Sequence, residues 1–393
     1  MTPTTADLLA PQDWSFPIPI HYGPGRVREI AGRCRAAGMS RPLVVTDRGT
    51  AALPFIERIV GLLEADGLAC QLYAGFSPNP RDDEVGAGRD LFRAGGHDGV
   101  VAVGGGSGMD GGKAVATVAN NDFDLWAFEF EQTSPAIGPD QAFPPLITIP
   151  TTAGTGAETE STAMVTETRR MMKFCTWHPQ FSPTAAILDP ELTVGLPASM
   201  TAWTGCDALV HAVEGFCVPG FHPLCDGAAL EGLRLINRWL RRAVAEPTDL
   251  EARGGMLVGS CLAGISFLKG LGLVHAISHM VGAEFDTQHG LTNAVTLPAV
   301  LRFNEPAIAH EIQPLAEAMG LEDTSFDSFY AANCALLDDL DIPRTLADIG
   351  VLPNRTMPLA EKAIVDSAAG TNARIATVDE IAAVIDDVLT FGR

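Results

Sequence analysis

The pattern of apolar runs changes once along this chain of 393 residues, near residue 195. Before that point short β-branched runs alternate with helical stretches. The runs are "PLVVTD" (42–47), "CQLYAG" (70–75), "GVVAVGGG" (99–106), "PLITIPTT" (145–152) and "TAAILDP" (184–190). Buried strands separated by helices are parallel β/α units, because a parallel neighbour needs a crossover. After Leu196 the strand pattern stops. "MTAWTGCDALVHAVEGFC", "LCDGAALEGLRLINRWLRRAV", "ARGGMLVGSCLAGISFL" and "LTNAVTLPAVLRFN" repeat apolar residues at helical spacing, with Pro197 and Pro219 as punctuation. The expectation is an α/β domain with a parallel sheet over 1–195 and an all-α domain over 196–393.

Charge narrows the function classes. Lys and Arg number 26 against 48 Asp and Glu, a net charge of −22. Such a surface repels phosphate backbones and anionic membranes, so neither nucleic acid nor membrane is an expected partner. There is no uncharged apolar run long enough to cross a bilayer, and the first residues lack the basic and apolar regions of a signal peptide. Eight scattered cysteines without a C-x-x-C pair read as reduced thiols of a cytoplasmic protein.

"VVAVGGGSGMDGGKA" (100–114) is a strand, a glycine cluster and a helix start. Gly106, Gly108 and Gly111 match G-x-G-x-x-G, a pattern that is weak alone. It is not a P-loop, because Ser107 stands at the first required glycine and Ala114 follows Lys113. Six glycines between 104 and 112 exceed the need of a tight turn. They suit backbone N–H groups approaching a phosphate at a helix N-terminus. A second turn, "PTTAGTGAE" (150–158), carries small hydroxyl residues. Asp47 ends the first strand, where it either caps a helix or accepts from a ribose hydroxyl and favours NAD over NADP.

Three of nine histidines fall within fifteen positions: His275, His279 and His289. His275 and His279 are spaced i, i+4, as are Asp207 and His211 in "GCDALVHAVE", so each pair shares a helix face. An aspartate with three histidines would supply the converging N/O ligands of a metal, and the absence of thiolate suits Fe(II) or Zn(II). Ala276 stands where H-E-x-x-H would need its glutamate, so the motif is not that of a metalloprotease. Singly, each histidine is an ordinary core or surface residue; two i, i+4 pairs in one helical half favour the metal.

With these motifs together the chain resembles the iron-containing (group III) alcohol dehydrogenases, which share a dehydroquinate synthase-like fold. The similarity covers roughly residues 15 to 390. It rests on "GGGSGMDGGK" (104–113), "PTTAGTGAE" (150–158), "GCDALVHAVE" (205–214) and "GLGLVHAISHMVGAEFDTQHGLTNA" (270–294). The resemblance implies an N-terminal dinucleotide-binding domain and a C-terminal metal-binding domain. It assigns the metal to Asp207, His211, His275 and His289, and proton handling beside the nicotinamide to His279. It places Asp47 and Asn79 on the adenosine side of NAD, Gly106 and Ser107 at the pyrophosphate, and Thr151 and Thr152 in the second turn. Lys173, Leu192, Gly195 and Leu196 match further cofactor-lining positions. The implied enzyme passes hydride between a small alcohol and NAD with Fe(II), or Zn(II), as Lewis acid. A homodimer or higher homo-oligomer is expected.

Several positions depart from the family's habit. Ala157 replaces a serine, Glu160 a small residue near the cofactor, Gln288 a proline, and "SFLKGLG" (266–272) a common "FSNAGLG". Lys269 is the one charge in its apolar run. Either it reaches an acidic neighbour, or it pairs with the carboxylate or sulfonate tail of an anionic alcohol such as an ω-hydroxy acid. Rival readings are a dehydroquinate synthase- or glycerol-1-phosphate dehydrogenase-like enzyme and a non-enzymatic metal-binding protein. The first would call for a phosphate-binding cluster in the helical half that is not evident; the glycine loop argues against the second.

Overall fold

The structure, a computed structural model, describes residues 12–15, 17–170 and 172–393. Among the described residues nine strands occur: β1 (Gln12–Ser15), β2 (Pro19–Tyr22), β3 (Pro42–Asp47), β4 (Gln71–Phe76), β5 (Gly99–Gly104), β6 (Leu146–Pro150), β7 (Ala163–Glu167), β8 (Met172–Thr176) and β9 (Ala185–Leu188). Seven form one sheet in the order β1-β2-β9-β6-β5-β3-β4, with β7 and β8 a separate antiparallel hairpin. Six of the seven are mutually parallel and β1 alone is antiparallel. The five expected strands are present within a residue or two of their expected bounds.

Both faces of this sheet are covered, which is why its strands read as unbroken apolar runs. Side chains alternate between the faces. Leu43, Val45, Val100 and Ala102 pack with Phe92 of α3 (Asp82–Ala94) and Met109 of α4 (Gly106–Ala119). Val44, Val101 and Val103 pack with Ile30 of α1 (Ile30–Ala36) and Ile59 of α2 (Pro54–Ala65).

From β3 the chain moves outward to β4, then returns to β5 on the other side of β3. The loops leaving β3 and β5 therefore diverge, and the C-terminal ends of these two strands form a topological switch point, where open parallel sheets bind ligands.

The rest is helical: α5 (Ala198–Cys217), α6 (Pro223–Ala245), α7 (Leu250–Ser266), α8 (Leu273–Phe285), α9 (His289–Asn304), α10 (Ile312–Ala318), α11 (Phe326–Asp339), α12 (Thr356–Ala363), α13 (Ser367–Gly370) and α14 (Val378–Thr390). Among the described residues no single helix is long and apolar enough to cross a membrane. Two compact units emerge, the described residues up to 152 with 157–194, and residues 153–156 with 195–393. The short 153–156 segment thus belongs with the helices although it lies between β6 and β7 in the chain.

Candidate active site

Helix α5 is buried along most of its length, and at i, i+4 it presents Asp207 and His211 to one point. His275 comes from the first turn of α8 and His289 opens α9. Two glycine contacts make this convergence possible. A Cβ on Gly290 would lie 2.3 Å from the Trp203 carbonyl oxygen, so only glycine lets the start of α9 rest on α5. A Cβ on Gly154 would lie 2.5 Å from the Thr204 carbonyl oxygen, which holds the 153–156 segment against the same helix. Gln288 caps α9, its side chain accepting from Leu291 N–H at 2.6 Å.

The Asp207 carboxylate oxygen lies 3.8 Å from His211 Nε2, 3.9 Å from His275 Nε2 and 3.7 Å from His289 Nε2. Ligands about 2.1 Å from a metal at the corners of a tetrahedron are about 3.4 Å apart, so the three Asp207–His pairs need only a small contraction, and all four atoms lie within 4.8 Å of one another. Every Nδ1 is committed elsewhere. His211 Nδ1 meets the Gly154 carbonyl at 3.1 Å, His275 Nδ1 the Glu214 carboxylate at 2.6 Å, and His289 Nδ1 the Ser278 hydroxyl at 3.1 Å. Such partners fix the tautomer that leaves the Nε2 lone pair inward. Burial, reinforced by His211, pushes His275 well below the ordinary imidazole range, so its lone pair is free at neutral pH. One carboxylate and three imidazoles without thiolate fit Fe(II) or Zn(II).

Glu214, to which the sequence reading gave no role, organises this corner. Its carboxylate accepts from the N–H groups of Gly272 at 3.0 Å and Val274 at 2.7 Å, as well as meeting His275. Burial raises it to about 7, against the pull of these donors. Its position three residues beyond His211 on one helix face was the available signal. Asp366, just before α13, lies 2.9 Å from His279 Nδ1 and is 87 residues away in sequence, where no local pattern could connect them. His279 stacks on His289, centroids 5.3 Å apart. His289 is the one member of the cluster with appreciable exposure, 29 % of its side chain. The Phe267 ring lies against His211 at 4.7 Å.

Lys269 is partnered within the protein. Its ammonium pairs with Asp226 at 2.5 Å, donates to the Phe216 carbonyl at 3.0 Å, and is 7 % exposed. Of the two sequence readings, the acidic neighbour is the one realised.

In the first unit the switch point gathers most of the expected cofactor residues. Gly104 has φ +145°, and a Cβ there would lie 3.2 Å from Asp47 Oδ2 and 3.3 Å from Gly108 Cα. Thr151 N–H donates to the Gly104 carbonyl at 2.9 Å, and the Ser107 hydroxyl to the Pro78 carbonyl, beside Asn79. Asp47 is not itself the N-cap residue of a helix; its Oδ1 accepts from Thr50 N–H at 2.9 Å and so holds the turn after β3, while Oδ2 faces the glycines. Helix α4 begins at Gly106, and the Thr46 and Thr152 hydroxyls are buried without a hydrogen-bond partner beside its loop. A bare glycine cradle, a helix N-terminus and two orphaned hydroxyls fit a pyrophosphate-bearing dinucleotide.

The Leu192 side chain packs in the core with Val27 and Ile187. Gly195 is exposed, the Leu196 carbonyl accepts from Arg253 at 3.3 Å, and Lys173 on β8 acts electrostatically on Asp110 of α4. Glu160 is buried at 4 % exposure, with Thr162 donating to it at 2.8 Å, and burial raises it to about 8.

A parallel sheet with a glycine-rich switch point and a helical unit with an Asp–His cluster define a dinucleotide- and metal-using oxidoreductase. The profile described as "Iron-containing alcohol dehydrogenase" matches residues 17–190, and "Fe-containing alcohol dehydrogenase family, C-terminal" matches residues 201–389. The NAD-dependent methanol dehydrogenase of Bacillus methanolicus is 35 % identical over 93 % of this chain and 97 % of its own. The 1,3-propanediol dehydrogenase of Klebsiella pneumoniae is 36 % identical over 95 % and 97 %. The crystal structure of a 1,3-propanediol oxidoreductase aligns with a TM-score of 0.89 at 35 % identity, covering 94 % of this chain and 97 % of that one. The chain belongs to the iron-containing alcohol dehydrogenase family. It is an NAD-dependent enzyme of alcohols and aldehydes that uses iron or another divalent metal.

Proposed function

We propose that the enzyme interconverts small, uncharged primary alcohols and their aldehydes. In this reading Asp207, His211, His275 and His289 hold the divalent ion, and the loop 104–107 with Asp47, Asn79, Thr151 and Thr152 holds NAD. The observation that carries it is the cluster of one carboxylate and three imidazoles, each imidazole with Nδ1 committed and Nε2 directed inward. A Lewis acid held there lowers the pKa of the alcohol hydroxyl and polarises the aldehyde carbonyl. His279 handles the proton. With Nδ1 committed to Asp366, its Nε2 is the position left to exchange it, and the Asp366 carboxylate stabilises the imidazolium while it exists. Stacking on His289 fixes the ring plane. Phe267 covers His211 with an apolar surface and limits water there. The neutralised Lys269 supports uncharged substrates. Free cysteines throughout fit a reducing, cytoplasmic setting.

The test is NADH absorbance with Fe(II)- or Zn(II)-loaded protein, NAD⁺ and paired alcohols of equal length ending in methyl or carboxylate. Metal-dependent turnover is expected, with the methyl-ended alcohol preferred. Turnover that survives complete chelation, or a preference for the acid, would overturn the reading.

A further inference from the structure

Asn293 lies on α9 one turn beyond His289 and is completely buried. Its side-chain nitrogen is 2.7 Å from the Asp207 carboxylate oxygen, 3.1 Å from His275 Nε2 and 3.1 Å from His289 Nε2. These are three of the four atoms assigned to the ion. A carboxamide nitrogen has two hydrogens, so it cannot fully satisfy three acceptors. At the other end of the group, Oδ1 is buried and has no hydrogen-bond partner. An amide so placed has its donor end oversubscribed and its acceptor end unused.

The balance changes once a divalent cation takes up the Nε2 lone pairs. The N–H hydrogens then lose their imidazole acceptors and face positive charge at short range, while the oxygen end stays buried without a partner. Turning the amide by half a rotation puts Oδ1 on the side of the cation and takes the N–H hydrogens away from its positive charge. The two orientations are nearly equal in shape, so the turn needs no repacking.

We propose that the Asn293 carboxamide is an orientable fifth group of the metal centre, directing Oδ1 toward the bound cation and Nδ2 toward the donors when they are uncoordinated. It thereby raises cation affinity and adds an oxygen to the ion's surroundings that the Asp–His set does not supply. This rests on the metal-site reading above and concerns the part of the site which that reading leaves unassigned.

Co(II) distinguishes the proposal from its foundation, because its visible spectrum reports coordination independently of turnover. Chelator-stripped wild type, Asn293→Ala and Asn293→Asp are titrated with Co(II), following the visible bands and the unfolding temperature. Wild type is expected to take one equivalent. Asn293→Ala is expected to bind about 10- to 100-fold more weakly, the usual range for an outer partner of a metal site, with altered visible bands. Asn293→Asp offers carboxyl oxygens in place of the amide N–H. Its stripped form is expected to melt below stripped wild type, and Co(II) is expected to raise its melting temperature by more than it raises that of wild type. If Asn293→Ala does not fold, the Asn293→Asp comparison decides alone. Identical affinity and bands in wild type and Asn293→Ala, or an equal Co(II) response in Asn293→Asp and wild type, would sink the Asn293 role and leave the four-ligand site standing. No Co(II) uptake by wild type would instead remove the site, and the proposal with it.

Discussion

His275 and His279 sit one helical turn apart and differ in what they touch. His275 turns Nε2 to the cluster and Nδ1 to Glu214; His279 turns Nδ1 to Asp366 outside the cluster. His275→Ala should therefore abolish metal retention and turnover together. His279→Ala should retain metal while turnover falls about 10²- to 10⁴-fold, as for loss of a general acid–base group. Metal analysis beside NADH assays checks both, and full metal in His275→Ala would show the ligand set to be misassigned. The i, i+4 spacings made the histidine-bearing faces legible in the sequence. Glu214 was half legible, on the same face as His211, and Asp366 was not legible at all, because tertiary packing alone brings it to His279. Glu160 gives a pH-dependent prediction. Its carboxyl is raised from 4.5 to about 8 by burial, so the folded state holds a proton that the unfolded state releases. Stability from this group is full below pH 4.5, falls as pH rises from there, and is gone above about 8. A tenfold change in proton affinity is worth about 1.4 kcal/mol, so the loss across this range is of the order of a few kcal/mol. Glu160→Gln should match wild type in melting temperature near pH 4.5 and exceed it increasingly toward pH 8.5. A difference that does not grow with pH would show that Glu160 is not buried as a neutral acid.

At the scale of elements, the metal cluster depends on how closely α9 approaches α5. An alanine in a helix interior gains about 1 kcal/mol over glycine in propensity, but overpacking a filled site costs about 1–3 kcal/mol or more. At Gly290 the added methyl meets backbone, the Trp203 carbonyl, which cannot move aside without moving α5. The steric effect should win. Gly290→Ala should lower thermal stability and, by shifting His289, weaken metal retention, which denaturation and metal analysis would detect. Unchanged metal content would mean the α5–α9 approach is not what sets the site. Legibility here followed burial. β3, β5 and β6 are sealed on both faces, so composition announced them. β2 is four residues beginning with proline, and β7 alternates buried and half-buried positions over five residues, patterns too short for periodicity to separate from a loop.

At the scale of the molecule, the metal is linked to folding. A ligand that binds only the folded state at 100 times its Kd adds about 2.7 kcal/mol. Chelation should lower the melting temperature, and Fe(II) or Zn(II) should restore it in wild type and His279→Ala but not in His275→Ala. A melting temperature indifferent to metal would count against binding at the cluster. The charge of −22 weighed against whole classes of partner but said nothing of where an anionic cofactor sits. That was legible only in the glycines, whose neutral backbone donors meet a phosphate without changing the net charge. Asp47 adds a negative group beside them. Asp47→Gly should improve use of NADP relative to NAD, measured as the ratio of the two kcat/KM values, and an unchanged ratio would leave Asp47 with its turn contact alone.

The segment 153–156 has a consequence for descent. The chain passes from one unit to the other after residue 152, back after 156 and across again after 194. The carbonyl that fixes the tautomer of His211 is therefore encoded upstream of β7, far from the gene region for the helices it serves. Exchange of genetic segments at residue 195, where the sequence pattern suggests a clean joint, would give the helical half a foreign Gly154 loop and leave His211 to whatever acceptor arrived with it. Lineages that shuffle these halves would have to carry the short loop along or evolve its replacement, which favours inheritance of the two halves as one piece.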